Sequence, residues 1–373
     1  MRVAISDEVF QQLSLRSDVA LCPNLKSLSW PSPYGWVHAP MFFSPQLVWV
    51  NFPYWQKERP APTLSELTSA INLLPTTHLE TFSLGEVFHQ EVMPHSALSW
   101  FIQRLKTCFM QLSIFCAITD PAWEHLAVLP RLHSLSLSGT LSIEVQRPVP
   151  PRLLFPALKD LRVVVDLQSK HWLSLFTLLK SSPLEKVGVL ARNGPQDSSP
   201  SQIVLAMLKA GLERRVNSLI FVGFSPASLV VVQQLLPFSS LKIFKCSTVC
   251  PPNNQCDFPL EDSEIENLAK ALSKLETLSL GTCTHGHRSI AIKSMISLST
   301  HCPYLKTLAL PCNLTKITDD IWEVSKESWQ KQGTQSCVLR NLSSVIMPSK
   351  NTEKWRIADT ALYNIFPQMG REV

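Results

Sequence analysis

One short phrase recurs from end to end of this 373-residue chain: Leu-x-x-Leu-x-Leu, with other apolar residues admitted at the leucine positions. LKSLSW starts at Leu25, LVWVNF at Leu47, LETFSL at Leu79 and FMQLSI at Phe109. LHSLSL follows at Leu132, LKDLRV at Leu158, LEKVGV at Leu184 and VNSLIF at Val216. LKIFKC starts at Leu241, LETLSL at Leu275, LKTLAL at Leu305 and a weaker copy, LRNLSS, at Leu339. Successive starts lie 22 to 34 residues apart. The last three positions of the phrase alternate apolar, other, apolar, which is the period of a strand with one buried face. A lone strand cannot bury that face. Strands stacked in parallel can, provided a crossover joins each to the next.

The sequence between the hexamers supplies the crossovers. LSELTSAINLLP (64–75) places Leu64, Leu67, Ile71 and Leu74 at helical spacing, and ALSWFIQRLKTC (97–108) does the same with Leu98, Phe101, Ile102 and Leu105. HWLSLFTLLKSSP (171–183), SQIVLAMLKAGLERR (201–215) and SLVVVQQLLP (228–237) are predicted to be helical on the same pattern. EDSEIENLAKALSKL (261–275) opens acidic and places Lys274 in its last turn, matching the helix dipole. Pro75, Pro130, Pro183 and Pro237 stand just ahead of the next hexamer, where a residue that cannot continue a helix is useful. The mean repeat of about 28 to 29 residues belongs to the leucine-rich-repeat range. The expected fold is therefore α/β: a right-handed leucine-rich-repeat solenoid, or horseshoe, with a concave parallel sheet and convex helices. Eleven or twelve irregular repeats would occupy 1–350, and a capping helix 351–373. CPNLKSLSW (22–30) and HCPYLKTLAL (301–310) share a Cys-Pro phrase that is structural on this view: the Pro ends a helix and the Leu enters the core.

In such a solenoid the concave sheet is the usual binding surface. The strand positions between the buried residues should face it: Ser27, Ser29, Thr81, Ser83, Gln111, Ser113, Ser134, Ser136, Thr277, Ser279, Thr307 and Ala309. Small hydroxyl side chains suit a crowded row of strands. The middle copies differ, presenting Asp160, Arg162, Lys186 and Lys245, so a protein-binding hot spot is expected there, with Trp49 near it only if the array curls enough.

The net charge of +5 is concentrated in residues 121–250, which hold 14 Lys and Arg against 7 Asp and Glu. An acidic protein segment is the partner this favours. The basic residues form no run, so neither nucleic acid nor a membrane surface is expected as a partner. Asp7 and Glu8 stand where a signal peptide would need an apolar run. No uncharged apolar stretch is long enough to span a bilayer. An intracellular location, cytoplasmic or nuclear, with reduced cysteines is expected.

Motifs of chemistry are missing. Cys246, Cys250 and Cys256, followed by Cys283, His285 and His287, lack the paired two-residue spacing of zinc sites. Cys246 occupies a buried repeat position, where Cys acts as a small hydrophobe. His89, Glu91 and His95 are spaced wrongly for a zinc protease, and Pro94 interrupts any helix between them. No nucleophile-elbow, phosphate-loop or dinucleotide motif occurs. No enzymatic activity, metal or cofactor is expected. Trp30, Trp36, Trp49 and Trp55 either plug the N-terminal end of the core, where PSPYGWVHAPMFFSPQ (31–46) replaces a regular helix, or form an exposed aromatic patch.

Three stretches go further than generic repeats: TDPAWEHLAVLPRLHSLSLSGT (119–140), EDSEIENLAKALSKLETLSLGTC (261–283) and HCPYLKTLALPCNLTKITDDIWEVSK (301–326). With the ending WRIADTALYNIFPQM (355–369), they resemble the leucine-rich-repeat portion of F-box proteins, in particular the divergent fungal set. The resemblance implies substrate recognition for a ubiquitin ligase. In that family a separate F-box docks the ligase scaffold. Here the first repeat strand comes by Leu25, with only DEVFQQL (7–13) before it as a helix, so the scaffold would be a partner only if an F-box lay upstream. The alternative is a stand-alone structural or regulatory protein-interaction scaffold unrelated to ubiquitination.

Overall fold

Each of the twelve hexamers becomes a strand, and in each the strand begins at the third hexamer position. The computed structural model describes residues 12, 20–30, 36–52, 64–85, 95–114, 118–138, 154–165, 171–191, 200–224, 226–248, 260–281, 292–314, 339–346 and 352–366. The strands are β1 (Ser27–Ser29), β2 (Trp49–Phe52), β3 (Thr81–Leu84), β4 (Gln111–Ile114), β5 (Ser134–Ser138) and β6 (Asp160–Val165). They continue as β7 (Lys186–Ala191), β8 (Ser218–Phe224), β9 (Ile243–Thr248), β10 (Thr277–Leu280), β11 (Thr307–Asn313) and β12 (Asn341–Ile346). The fold is α/β, with one open parallel sheet whose strand order is the chain order.

Among the described residues there are eight α-helices. They are α1 (Leu64–Leu73), α2 (His95–Gln103), α3 (Asp120–Val128), α4 (His171–Leu178), α5 (Pro200–Ala210), α6 (Asp262–Ala271), α7 (Ile292–His301) and α8 (Glu353–Ile365). By contact density the chain divides into two compact units, residues 1–165 with 181–183, and residues 166–180 with 184–373.

In the first unit, the fourth hexamer positions stand in register across the strands as Leu28, Val50, Phe82, Leu112, Leu135 and Leu161, all buried. The sixth positions, from Phe52 through Leu84, Ile114 and Leu137 to Val163, form a second buried row. Helices cover this face. Phe82 of β3 meets Phe101 of α2 at 4.7 Å between ring centroids, and also Phe52 of β2 at 6.0 Å. Each such side chain removed from water contributes about 1.5–3 kcal/mol. Neighbouring helices are tied to one another by side chains that satisfy helix-end carbonyls. Arg104 donates to the Asn72 carbonyl at 2.9 Å, and His125 Nε2 donates to the Leu105 carbonyl at 3.0 Å. Thr119 precedes α3, and Pro121 sits in its first turn, where a missing N–H costs nothing.

The second unit repeats the plan. Val187, Leu219, Phe244, Leu278 and Leu308 form one buried row, and Val189, Phe221, Cys246, Leu280 and Leu310 the other. Leu342, in the weaker last copy, is only half-buried. Ser294 of α7 donates to the Asp262 carboxylate at the start of α6, and the Cys302 thiol donates to the carbonyls of Ala269 (3.7 Å) and Leu272 (3.6 Å). In the matching phrase near the other end, Cys22 is exposed.

A second periodic device was invisible in the side-chain pattern. The carbonyl of the second hexamer residue accepts two N–H groups from the following repeat. The Lys26 carbonyl takes those of Val48 and Trp49, and that of Glu80 takes Met110 and Gln111. In the second unit Lys242 takes Glu276 and Thr277, and Glu276 takes Lys306 and Thr307. Each oxygen uses both lone pairs, which locks the register at strand entry.

Four local expectations differ from the structure. Residues 228–235 lie in a 3-10 helix, Pro226–Leu235, rather than an α-helix, with 236–237 in the turn beyond; a 3-10 helix, Trp36–Phe42, also occurs within 31–46, where no regular helix is expected. The 171–183 pattern forms α4 and then a short 3-10 turn, Leu179–Ser181. Helix α6 ends at Ala271, so its last-turn cation is Lys270, while Lys274 lies in the turn beyond. The hexamer leucine at Leu25 is half-buried, whereas Leu47, Leu79 and Leu132 at the same position are fully buried. Apart from residue 12 the segment 7–13 falls outside the described residues, as does all of 31–35.

Candidate functional site

Because strand side chains alternate, burying the fourth and sixth hexamer positions turns the third and fifth to the other face. Among the described residues these positions are half-buried or exposed in both units, except Ser218, which is buried, while their backbone is already spent on the sheet ladder. Its side chains are what it can offer a ligand.

In the first unit the register sets Ser27, Trp49, Thr81, Gln111, Ser134 and Asp160 in one row and Ser29, Asn51, Ser83, Ser113, Ser136 and Arg162 in the next. Ser134 and Ser136 are half-buried beside their neighbours. Trp49 belongs to this row by register. Trp30 is instead buried against Phe42, 5.6 Å between ring centroids. The side chains of Trp36 and Trp55 lie outside the described residues. Asp160 and Arg162 sit two residues apart on β6 and form an ion pair at 3.3 Å. The Arg162 charge is thus met within its own strand.

In the second unit the rows are Lys186, Ser218, Ile243, Thr277, Thr307 and Asn341, then Gly188, Ile220, Lys245, Ser279, Ala309 and Ser343. A third row, Leu190, Val222 and Ser247, crosses β7 to β9. Lys186 and Lys245 are exposed, and neither has an ion pair among the described residues. Thr277 and Ser279 are half-buried on β10. Sequence reasoning singled out the lysines and passed over the apolar residues between them. Leu190, Ile220, Val222 and Ile243 are half-buried or exposed, on the face where the other strands carry mostly Ser and Thr. The signal was present: they occupy the same alternating positions as Lys186 and Lys245.

Charged side chains also line the strand entries of this unit. Glu276 receives Lys306 at 2.6 Å and Lys242 at 3.5 Å. The Lys306 hydrogen bond, reinforced by the Lys306 and Lys242 charges, holds the Glu276 carboxyl below its ordinary value. Cys246 lies under β9 in the apolar layer, and burial pushes its thiol up to about 12. Such a thiol is neither a nucleophile nor a ready metal ligand. Cys250, Cys256, Cys283, His285 and His287 lie outside the described residues, as do His89 and Glu91 and the side chain of His95. Among the described residues no group of three or more His, Cys, Asp or Glu is placed to hold a metal ion. No helix there is long and apolar enough to cross a membrane.

No protein family and no curated protein matches the chain.

Proposed function

We propose that the chain is a protein-binding leucine-rich-repeat module that recognises a substrate in an F-box-like, ubiquitin-ligase adaptor context. On this reading the array is a right-handed horseshoe over 1–350, its sheet concave, its helices convex, and 351–373 its C-terminal cap. The partner-binding positions are Ser134, Ser136, Asp160 and Arg162 in the first unit, and Lys186, Lys245, Thr277 and Ser279 in the second.

The observation that carries the reading is the sheet face built from the third and fifth hexamer positions. The whole periodic sequence goes into burying the opposite face, and these positions are left free to vary. Their variation is not random: apart from Trp49, hydroxyl and amide groups fill β1 to β5, and charged residues begin at β6. An extended sheet face of this kind suits a polypeptide ligand better than a small molecule, which needs an enclosing pocket. The ubiquitin context rests on the resemblance carried by 119–140, 261–283, 301–326 and 355–369.

Affinity purification of the tagged chain, with identification of what is retained, tests the reading. Recovery of the ligase scaffold together with a second protein is the expected result. Recovery of a partner without the scaffold replaces the adaptor role with that of a stand-alone interaction protein. Retention of no protein contradicts the proposal.

A further inference from the structure

The face of β7, β8 and β9 has the composition of a docking patch for one kind of polypeptide. The register makes it a three-by-three grid: Lys186, Ser218, Ile243, then Gly188, Ile220, Lys245, then Leu190, Val222, Ser247. Ile220 is at the centre. Ile243 and Leu190 lie diagonally to either side of it, and Val222 follows on the same strand. Gly188 contributes no side chain beside Ile220, so the centre is left open toward β7. Leu190 at the edge is 38% exposed. Apolar side chains grouped on a face that on the other strands carries mostly polar groups point to contact with another apolar surface.

The two lysines fix the sign of what comes. Lys186 stands at one corner of the grid and Lys245 midway along the opposite edge, beside Ile220, about 12 Å apart from strand spacing and rise. Neither is neutralised by a carboxylate among the described residues. The contrast with Arg162, paired to Asp160 at 3.3 Å, is direct. Unmet positive charge beside half-buried aliphatic groups is complementary to a segment carrying both an apolar side chain and carboxylates. The apolar contact would supply affinity and the charges orientation and association rate.

We infer that β7 to β9 bind a short segment of another protein in which an apolar residue, seated on Ile220, is flanked by Asp or Glu placed toward Lys186 and Lys245. This rests on the protein-binding reading above and narrows it to one patch and one partner chemistry.

The test is selection of short random peptides displayed on phage against the full chain, then fluorescence anisotropy with the enriched peptides synthesised. Enriched sequences should combine a Leu, Ile, Val or Phe with at least two Asp or Glu. Lys186→Glu with Lys245→Glu should weaken binding at least tenfold. Replacing the peptide's carboxylates with Lys should restore binding to that double variant and abolish it for the unaltered chain. Ile220→Thr, which keeps a β-branched side chain, should weaken binding about tenfold while leaving the salt dependence in place. Melting temperatures of the variants, expected to match the parent within error for the exposed lysines, separate lost binding from lost folding. Enriched peptides without acidic residues, or acidic ones indifferent to both substitutions, remove this patch but leave protein binding elsewhere standing. Enrichment of no peptide at all overturns both.

Discussion

The uncovered faces of β1 to β5 and of β7 to β9 rest on the same kind of core and carry opposite chemistries. Under both lie two rows of fully buried aliphatic and aromatic residues, Phe82 in one and Phe244 in the other. Above β1 to β5 stand Ser, Thr, Gln and Asn with a single Trp; above β7 to β9 stand Ile, Val and Leu with Ser218, Ser247 and two lysines that have no ion pair among the described residues. Core and surface chemistry are therefore written at different positions of one hexamer. The fourth and sixth positions are buried on the core side of the sheet, and the third and fifth stand on the other face. Nothing in folding requires the two faces to differ, because either set of side chains satisfies a half-exposed strand.

Substitutions can break this comparison at several depths. The largest effects belong to the shared core. Phe82→Ala and Phe244→Ala should each cost about 3–5 kcal/mol in denaturant unfolding, because both leave cavities under closely packed aromatic neighbours. If one proves mild, the two cores are not equivalent and the contrast extends below the surface. Gly223→Ala comes next. Gly223 has φ +85° where β8 shifts register, and an added Cβ would meet the Ala191 carbonyl oxygen at 2.4 Å. A loss of about 1–3 kcal/mol is expected, since both the backbone and the neighbouring strand must move. A neutral result would mean that the bulge relaxes without cost.

Smaller effects test the uncovered faces. Ser83→Ala in the first unit and Ile220→Thr in the second should each change stability by less than about 1 kcal/mol, as half-exposed sites do. A large loss at Ile220 would make it a core residue and end its candidacy as a contact. Glu276→Gln should cost under about 1 kcal/mol, the usual range for exposed ion pairs, and less in high salt. Its sign with pH is fixed by the lowered carboxyl: the contribution is present above the unfolded value of 4.5 and fades as acid protonates the folded carboxylate. Thiol labelling resolved by peptide mass should find Cys22 reactive and Cys246 protected in the native state at mildly alkaline pH. Rapid labelling of Cys246 would contradict the buried layer beneath β9.

Much of this was legible in the hexamer, because a strand with one buried face leaves a period-two signature that side chains alone reveal. The entry point of all twelve strands and the identity of both faces follow from it. The crossovers were harder. The spacing of SLVVVQQLLP fits an α-helix, yet Pro226–Leu235 is 3-10. The repeat there spans only 25 residues, from Val216 to Leu241, and a 3-10 helix rises about 2.0 Å per residue against 1.5 Å for an α-helix. The shortest interval, 22 residues from Leu25 to Leu47, also crosses over through 3-10 structure. Spacing alone does not decide, since the 23-residue interval before Leu132 keeps the α-helix α3, with Pro121 in its first turn. The pairing of Arg162 with Asp160 could have been anticipated, as side chains two apart on a strand share a face. That Lys186 and Lys245 have no ion pair among the described residues could not, because it depends on what the neighbouring strands present.

The central claim is that partners meet the sheet face and not the helices. A photo-crosslinking side chain placed at Ser247, at the margin of the β7 to β9 patch, and in a second variant at Leu205, exposed on α5, compares the two directly. With the captured partner present, irradiation should yield a covalent adduct from position 247 and none from position 205. Adducts from 205 alone would contradict the account.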